Sequence, residues 1–321
     1  MARVDASAGD ARHWAAINEA TCVAGMRLLF WVCRTFGRWP FRVVLHPVLL
    51  WYVATQPRAR RASSAYLARV GMPAGVTGVL RHFGAFAEAI LDKMLLWGGA
   101  FDFDRVRLHG AEPLLERARR GEGALLVCAH LGNLDLCRAL SLRTPGLRVT
   151  VLVHTKHAQA FNDVLAQLDP KSRLNLMQVT DLDAAMAMQL SERIGRGEFV
   201  VIAGDRVPVS PNPRVALAPF LGRTAAFPIG PYVMAAVLGC PLAAMFATRT
   251  GGRHDVRYDV HFEPLRDKVV LPRRERAQAL AELAGAYAAR LEHHARRAPL
   301  EWFNFYDFWH LPETDSPDAA Q

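Results

Sequence analysis

The segment that most constrains this chain runs Gly123-Ala-Leu-Leu-Val-Cys-Ala-His130-Leu-Gly-Asn-Leu-Asp135. Residues 123–129 form a continuous apolar run of strand length. A strand without alternation suits a sheet covered on both faces rather than one facing water. The run stops at His130, a Gly-Asn turn follows, and a helical pattern opens at Asn133, a good N-cap residue. Residues 147–154, 199–203, 242–247 and 257–262 read as further strands, the last with period-two alternation. Helical patterns cover 133–141, 159–168, 182–193, 229–238 and 274–296. Before them, residues 63–70 and 83–97 also read as helices. Alternation of this kind predicts an α/β fold with a mainly parallel central sheet flanked by helices.

The chain has 321 residues, 51% hydrophobic and 21% charged, which excludes a disordered protein and a disulfide-stapled miniprotein. The five cysteines, Cys22, Cys33, Cys128, Cys137 and Cys240, form no C-x-x-C pair. That usage points to a reducing compartment and excludes a zinc ribbon. The formal charge is +9, and only Lys93, Lys156, Lys171 and Lys268 are lysines, so arginine supplies the other cations. Such a balance favours acidic partners, among them phospholipid headgroups and acidic carrier proteins. The aromatic run from Trp302 to Trp309 lacks interleaved basic residues, so packing is expected of it and nucleic acid is not.

The N-terminal part divides the chain. Residues 1–60 read as an amphipathic, membrane-associating helical segment, 61–312 as the α/β domain and 313–321 as a disordered tail. The stretch 43–54 is too short to span a bilayer and holds His46 and Pro47. Joining it to 23–32 would bury several arginines and the Trp39-Pro40 break. Trp14, Trp31, Trp39, Trp51 and Tyr52 instead supply interfacial aromatics, with Arg34, Arg38 and Arg42 reaching headgroups. Residues 57–61 read as a short basic break.

His130 and Asp135 are the candidate catalytic pair. On one continuous helix, residues five apart point about 140° from each other. A strand–turn–helix bend instead lets the carboxylate fold back to the imidazole, fix its tautomer and stabilise the imidazolium. The end of a strand is also where open α/β sheets bind ligands. By itself the spacing is common.

Further blocks raise its meaning. Ala129-His130-Leu-Gly-Asn133-Leu-Asp135 resembles the H-x-x-x-x-[D/E] block of the glycerolipid acyltransferase superfamily, and in detail the bacterial lipid A lauroyl/myristoyl acyltransferase branch. Gly204-Asp205-Arg206 is similar to that branch's second block. Pro219-Phe-Leu-Gly222-Arg223 with Phe227-Pro-Ile-Gly230 is similar to its third, which precedes an apolar helix. Cys240-Pro-Leu is similar to the fourth, and Ala298-Pro-Leu-Glu-Trp302 to the closing P-x-x-W segment. The resemblance covers about residues 14–310, with Asp135 and Leu134 where the branch usually carries Glu and Trp.

The resemblance implies acyl transfer from an acyl carrier protein thioester to a hydroxyl or amine of a lipid or glycolipid acceptor. It places the protein at the cytoplasmic face of a bacterial inner membrane, peripheral or shallowly inserted. His130 would be the general base and Asp135 its orienting group. Asn133, Asp205, Arg206, Gly222 and Arg223 would bind substrate, with Asp205 near the acceptor or orienting Arg206. Arg206 and the backbone N–H groups near Gly132-Asn133 are candidate oxyanion donors. Arg143, Arg148, Lys171 and Arg173 would dock the acidic carrier. No cofactor and no metal is expected: His154, His157 and Asp163 suit a solvated loop better than a ligand set. Asp181 and Asp183 suit helix capping, and His293 and His294 are expected to face solvent on a charged helix. Cys128, two positions before His130, is expected to be an apolar filler rather than a nucleophile. A non-catalytic lipid- or carrier-binding protein and a thioester hydrolase are the other readings of the same blocks.

Overall fold

A computed structural model describes residues 31–32, 35–97, 101–137, 147–153, 175–178, 184–208, 213–252 and 255–311. The readings at Cys22, Cys33, Arg143, His154, His157, Asp163, Lys171, Arg173, Asp181 and Asp183, and the helical pattern at 159–168, lie outside the described residues.

From Trp39 onward the described residues form helices α1 (Trp39–Thr55), α2 (Pro57–Arg69) and α3 (Val76–Trp97). Prolines open the first two, where the missing N–H has no intrahelical partner to lose. Residues 57–61 are therefore a helix start and not the basic break that their composition suggests. Strand β1 (Val106–His109) and helix α4 (Glu112–Arg119) lead into β2 (Ala124–Gly132). After β2 come a short 3-10 turn (Leu134–Cys137), β3 (Val149–Val153), β4 (Asn175–Gln178), α5 (Ala184–Gly195) and β5 (Phe199–Ala203). The antiparallel pair β6 (Val215–Phe220) and β7 (Arg223–Pro228) precedes α6 (Gly230–Leu238), β8 (Leu242–Thr250), β9 (Arg257–Arg266) and α7 (Arg276–Arg297).

Among the described residues, seven strands form one sheet in the order β1-β9-β8-β2-β5-β3-β4. Only the β8–β9 pairing is antiparallel, so the expected mainly parallel α/β fold is the one observed. The apolar run of β2 explains its central place. Leu125, Val127, Ala129 and Leu131 belong to one buried layer, shared with Tyr287 and Leu291 of α7 and Tyr232 of α6. Ala124, Leu126 and Cys128 belong to the other, with Leu114 and Leu115 of α4. Side chains alternate across a strand, so covering both faces needs an apolar residue at every position.

The β6–β7 hairpin turns on Leu221 and Gly222, with φ of 49° and 77°. Two positive φ values make the primed turn that matches strand twist. Leu221 holds this unusual conformation while buried, and its N–H donates to Glu292 Oε2 at 2.6 Å. No helix among the described residues is long and apolar enough to cross a membrane.

Candidate functional site

The site gathers at the carboxyl end of β2. Past Cys128 the strand departs from regular register with β8. Here residues 301–303, following α7, cross as a strap: Phe303 N–H donates to the His130 carbonyl, and Gly132 N–H donates to the Glu301 carbonyl, both at 2.8 Å. Leu131 and Trp302 form an antiparallel bridge between them. Gly132 sits at φ 67°, and a Cβ there would stand 1.7 Å from the Ala247 carbonyl oxygen. No other residue fits so close to β8.

Asp205, just beyond β5, is buried beside His130 at 2% exposure. Its Oδ2 accepts from the backbone N–H of His130 at 2.8 Å and from Trp302 Nε1–H at 3.0 Å. Its Oδ1 lies 2.8 Å from His130 Nδ1. Burial pushes the Asp205 pKa up, but the electrostatic attraction of His130 and these hydrogen bonds outweigh it and hold the pKa below its ordinary value. An ionised carboxylate only accepts, so Nδ1 carries the proton and Nε2 presents its lone pair. The His130 side chain is 30% exposed, so that lone pair is open to an incoming group.

This corrects the expectation for Asp135. The carboxylate does not fold back to His130. Asn133 caps the turn by accepting from Asp135 N–H at 3.2 Å, and the Asp135 side chain pairs with Lys93 of α3 at 2.9 Å. Asp205 likewise does not orient Arg206: it holds the imidazole. Arg206 is exposed and donates to the Phe303 carbonyl at 3.3 Å. The backbone N–H groups of Gly132 and Asn133 are spent on Glu301 and Ala247 carbonyls, so neither is free for an oxyanion. Near them, the buried Asn133 side chain keeps Nδ2 without a hydrogen-bond partner. Gly222 and Arg223 form the end of the β6–β7 turn and make no hydrogen bond or ion pair with His130 or Asp205. Cys128 is buried between Leu126 and the β8 layer, as a filler would be. Arg148 is exposed, with Glu198 3.9 Å away.

Two residues that sequence reasoning did not single out complete the surroundings. His82 of α3 is fully buried: Ser63 Oγ lies 2.9 Å from Nδ1, and Nε2 lies 2.9 Å from the Trp302 carbonyl. Burial lowers its pKa to about 4, against the raising effect of that backbone hydrogen bond. The neutral ring then donates from Nε2 and accepts at Nδ1, which ties α2 and α3 to the strap. Tyr287 of α7 donates to the Cys128 carbonyl at 2.7 Å, alongside Gly204 N–H at 2.8 Å. Only a non-alternating polar residue on an apolar face hints at either in the sequence.

A cavity of about 620 Å³ opens between α1 and α3 and reaches Leu300 and, in the strap, Glu301. Leu45, Leu49 and Leu80 line it together with Arg42, Arg81 and Arg249. Burial raises the Glu301 carboxyl to about 7, with Arg249 opposing and Asp92 reinforcing the shift.

The family model of bacterial lipid A biosynthesis acyltransferases matches residues 101–310. The chain belongs to this family. No curated protein matches it closely enough for comparison. The lipid A acyltransferase match takes in β1 through the strap, and therefore His130, Asp205 and Trp302 alike. Membership supports an acyltransferase acting on a lipid acceptor. Helices α1 to α3 precede the match.

Proposed function

We propose that this protein transfers a fatty acyl group from an acyl carrier protein thioester to a hydroxyl, or amine, of a lipid or glycolipid, with His130 as general base. The observation that carries the reading is the His130–Asp205 pair at the end of the central strand. Nε2 removes the acceptor's proton as its oxygen attacks the thioester carbonyl. Asp205 holds the tautomer and stabilises the imidazolium that forms. Collapse of the tetrahedral intermediate breaks the C–S bond, and the imidazolium returns its proton to the departing thiolate. Arg206, which is exposed and spends one N–H on Phe303, is the donor available to the oxyanion.

The charge of +9 supports an acidic protein carrier as donor. Helix α1 supports a bilayer surface as the place of work, and the proposal sets that surface at the cytoplasmic face of the inner membrane. Trp39, Val44 and Trp51 stand 72%, 65% and 65% exposed, with Val43 and Val48 beside them. Its other side is anchored, Arg42 pairing with Glu88 of α3 and Tyr52 packing on Phe83. The exposed apolar face fits shallow insertion, while Arg38 and Arg42, expected to reach headgroups, turn inward to Asp92 and Glu88 of α3.

The test supplies labelled acyl carrier protein and total lipid extract to membranes holding wild type or His130→Ala. Products are resolved by mass spectrometry. A new acylated lipid with wild type alone is expected. Equal product from both removes His130 as the base, and release of free fatty acid alone makes water the acceptor.

A further inference from the structure

Away from His130, the outer edge of the sheet carries an array of metal-ligating side chains. His109 and His261 are direct partners in the parallel β1–β9 ladder. Their rings stack with centroids 4.5 Å apart and planes 11° from parallel. Asp259 lies two residues before His261, so its side chain leaves the same face of β9. One ligand atom from each of His109, Asp259 and His261 falls within 4.8 Å of the other two. Asp259 Oδ1 is buried and has no hydrogen-bond partner, although His109 Nε2 lies 3.4 Å away. Arg107, directly across the ladder from Asp259, makes no ion pair with it. A buried carboxylate oxygen left without a donor is costly, and a cation would satisfy it.

We propose that His109, Asp259 and His261 bind a divalent transition-metal ion of the zinc class, which clamps strand β1 to β9. Two imidazoles and a carboxylate form a nitrogen–oxygen donor set suited to zinc, copper or nickel rather than to magnesium or calcium. Three protein ligands leave a fourth position to solvent. Bonds of about 2.0–2.1 Å bring tetrahedral donors within roughly 3.4 Å of one another. Binding requires the His109 side chain, which is 45% exposed, to rotate out of the stack, because stacked rings point their in-plane lone pairs side by side rather than at one ion. On the far side of His261, Glu263 is already engaged by His294 at 2.6 Å and by Arg290 at 3.3 Å. That carboxylate supports the ring stack, in which His294 also packs on His261, but it has no vacant oxygen comparable to that of Asp259. The donors come from strands far apart in sequence, so no H-x-x-H spacing announces them.

The experiment uses the full chain, tag-free and stripped with a chelator, and titrates zinc against a chromophoric competitor. One equivalent is expected to bind, with affinity lowered at least about tenfold in His109→Gln and in Asp259→Asn. His109 is exposed enough that its variant folds, and circular dichroism of each variant checks this. Two results would overturn the proposal. One is wild-type protein that retains no zinc against the competitor. The other is His109→Gln that binds as wild type does, including the case in which His294→Gln alone weakens binding and so moves the ion to the Glu263 side.

Discussion

Replacing Asp205 by Asn separates the two carboxylates that compete for the role of orienting group. The native side chain accepts three N–H groups within 3.0 Å, two on Oδ2 and one on Oδ1. Asn has nearly the same shape but one acceptor oxygen and one NH2 group. With its oxygen kept towards the His130 amide and the Trp302 indole, its NH2 faces Nδ1. That nitrogen must then accept, so the ring proton moves to Nε2 and the base is blocked. The reverse orientation sets an NH2 against two buried donors, at about 1–3 kcal/mol for each unsatisfied group. The variant therefore folds in the first orientation with the wrong tautomer. The same exchange in a Ser-His-Asp triad lowers kcat about 10⁴-fold. A loss of about 10³–10⁴ is expected here, or roughly 4–5.5 kcal/mol of transition-state stabilisation. Asp135→Asn breaks only the half-buried pair with Lys93 and is expected to cost less than about tenfold. The assay is steady-state acyl transfer with purified acyl carrier thioester, with near-UV circular dichroism to verify folding. A folded Asp205→Asn enzyme within tenfold of wild type, beside an Asp135→Asn enzyme lowered a thousandfold, would refute the reasoning.

Other consequences can be measured in the same preparations. Trp302→Phe removes the indole N–H from Asp205 and leaves space among Tyr66, Phe220 and Phe308. Thermal unfolding should show a loss of about 2–4 kcal/mol, with kcat reduced and the KM for carrier unchanged. His82 has a folded pKa of about 4 against an ordinary 6.5, so the unfolded chain binds more protons between these values. Stability should fall by about 3 kcal/mol as pH drops from 6.5 to 4, and denaturant titrations of His82→Gln should lack that component. Gly132→Ala drives a Cβ into the Ala247 carbonyl, and a destabilisation of about 3 kcal/mol is expected by chemical denaturation. Cys128→Ala should keep full activity, since the thiol lies in the apolar layer; a thousandfold loss would make it a nucleophile.

The sequence shows the sheet's core more readily than its edges. Strand β5 occupies Phe199–Ala203, as its apolar run indicates, because a fully buried strand writes its burial into every position. Strand β2 extends to Gly132, beyond the apolar run, because the strap pairs with its end. No local pattern encodes that pairing. Strands β1 and β4 have four residues each, too few for alternation to stand out. The β6–β7 hairpin was hidden by its turn, which uses Leu-Gly in place of the Asn-Gly that usually marks two positive φ values. His130 was legible from its place at a strand end. Its partner was not, because Asp205 is 75 residues away and is delivered by the neighbouring strand, whereas Asp135 is near in sequence and directed elsewhere. His82 reads as one more residue on a helix; its partner, the Trp302 carbonyl, is 220 residues distant.

The strap also sets an order of events. Chains emerge from synthesis N-terminus first, so His130 and Asp205 exist well before Trp302. Until residues 301–303 arrive, the Asp205 carboxylate lacks its indole donor and the end of β2 lacks a neighbour along His130–Gly132. The imidazole's setting is completed by nearly the last part of the described chain to be made. A nascent or clipped chain that stops at the end of α7 holds both halves of the pair and still has an unfinished site. A chain cut after α7 is therefore expected to lose most of its acyl transfer although it keeps both members of the pair.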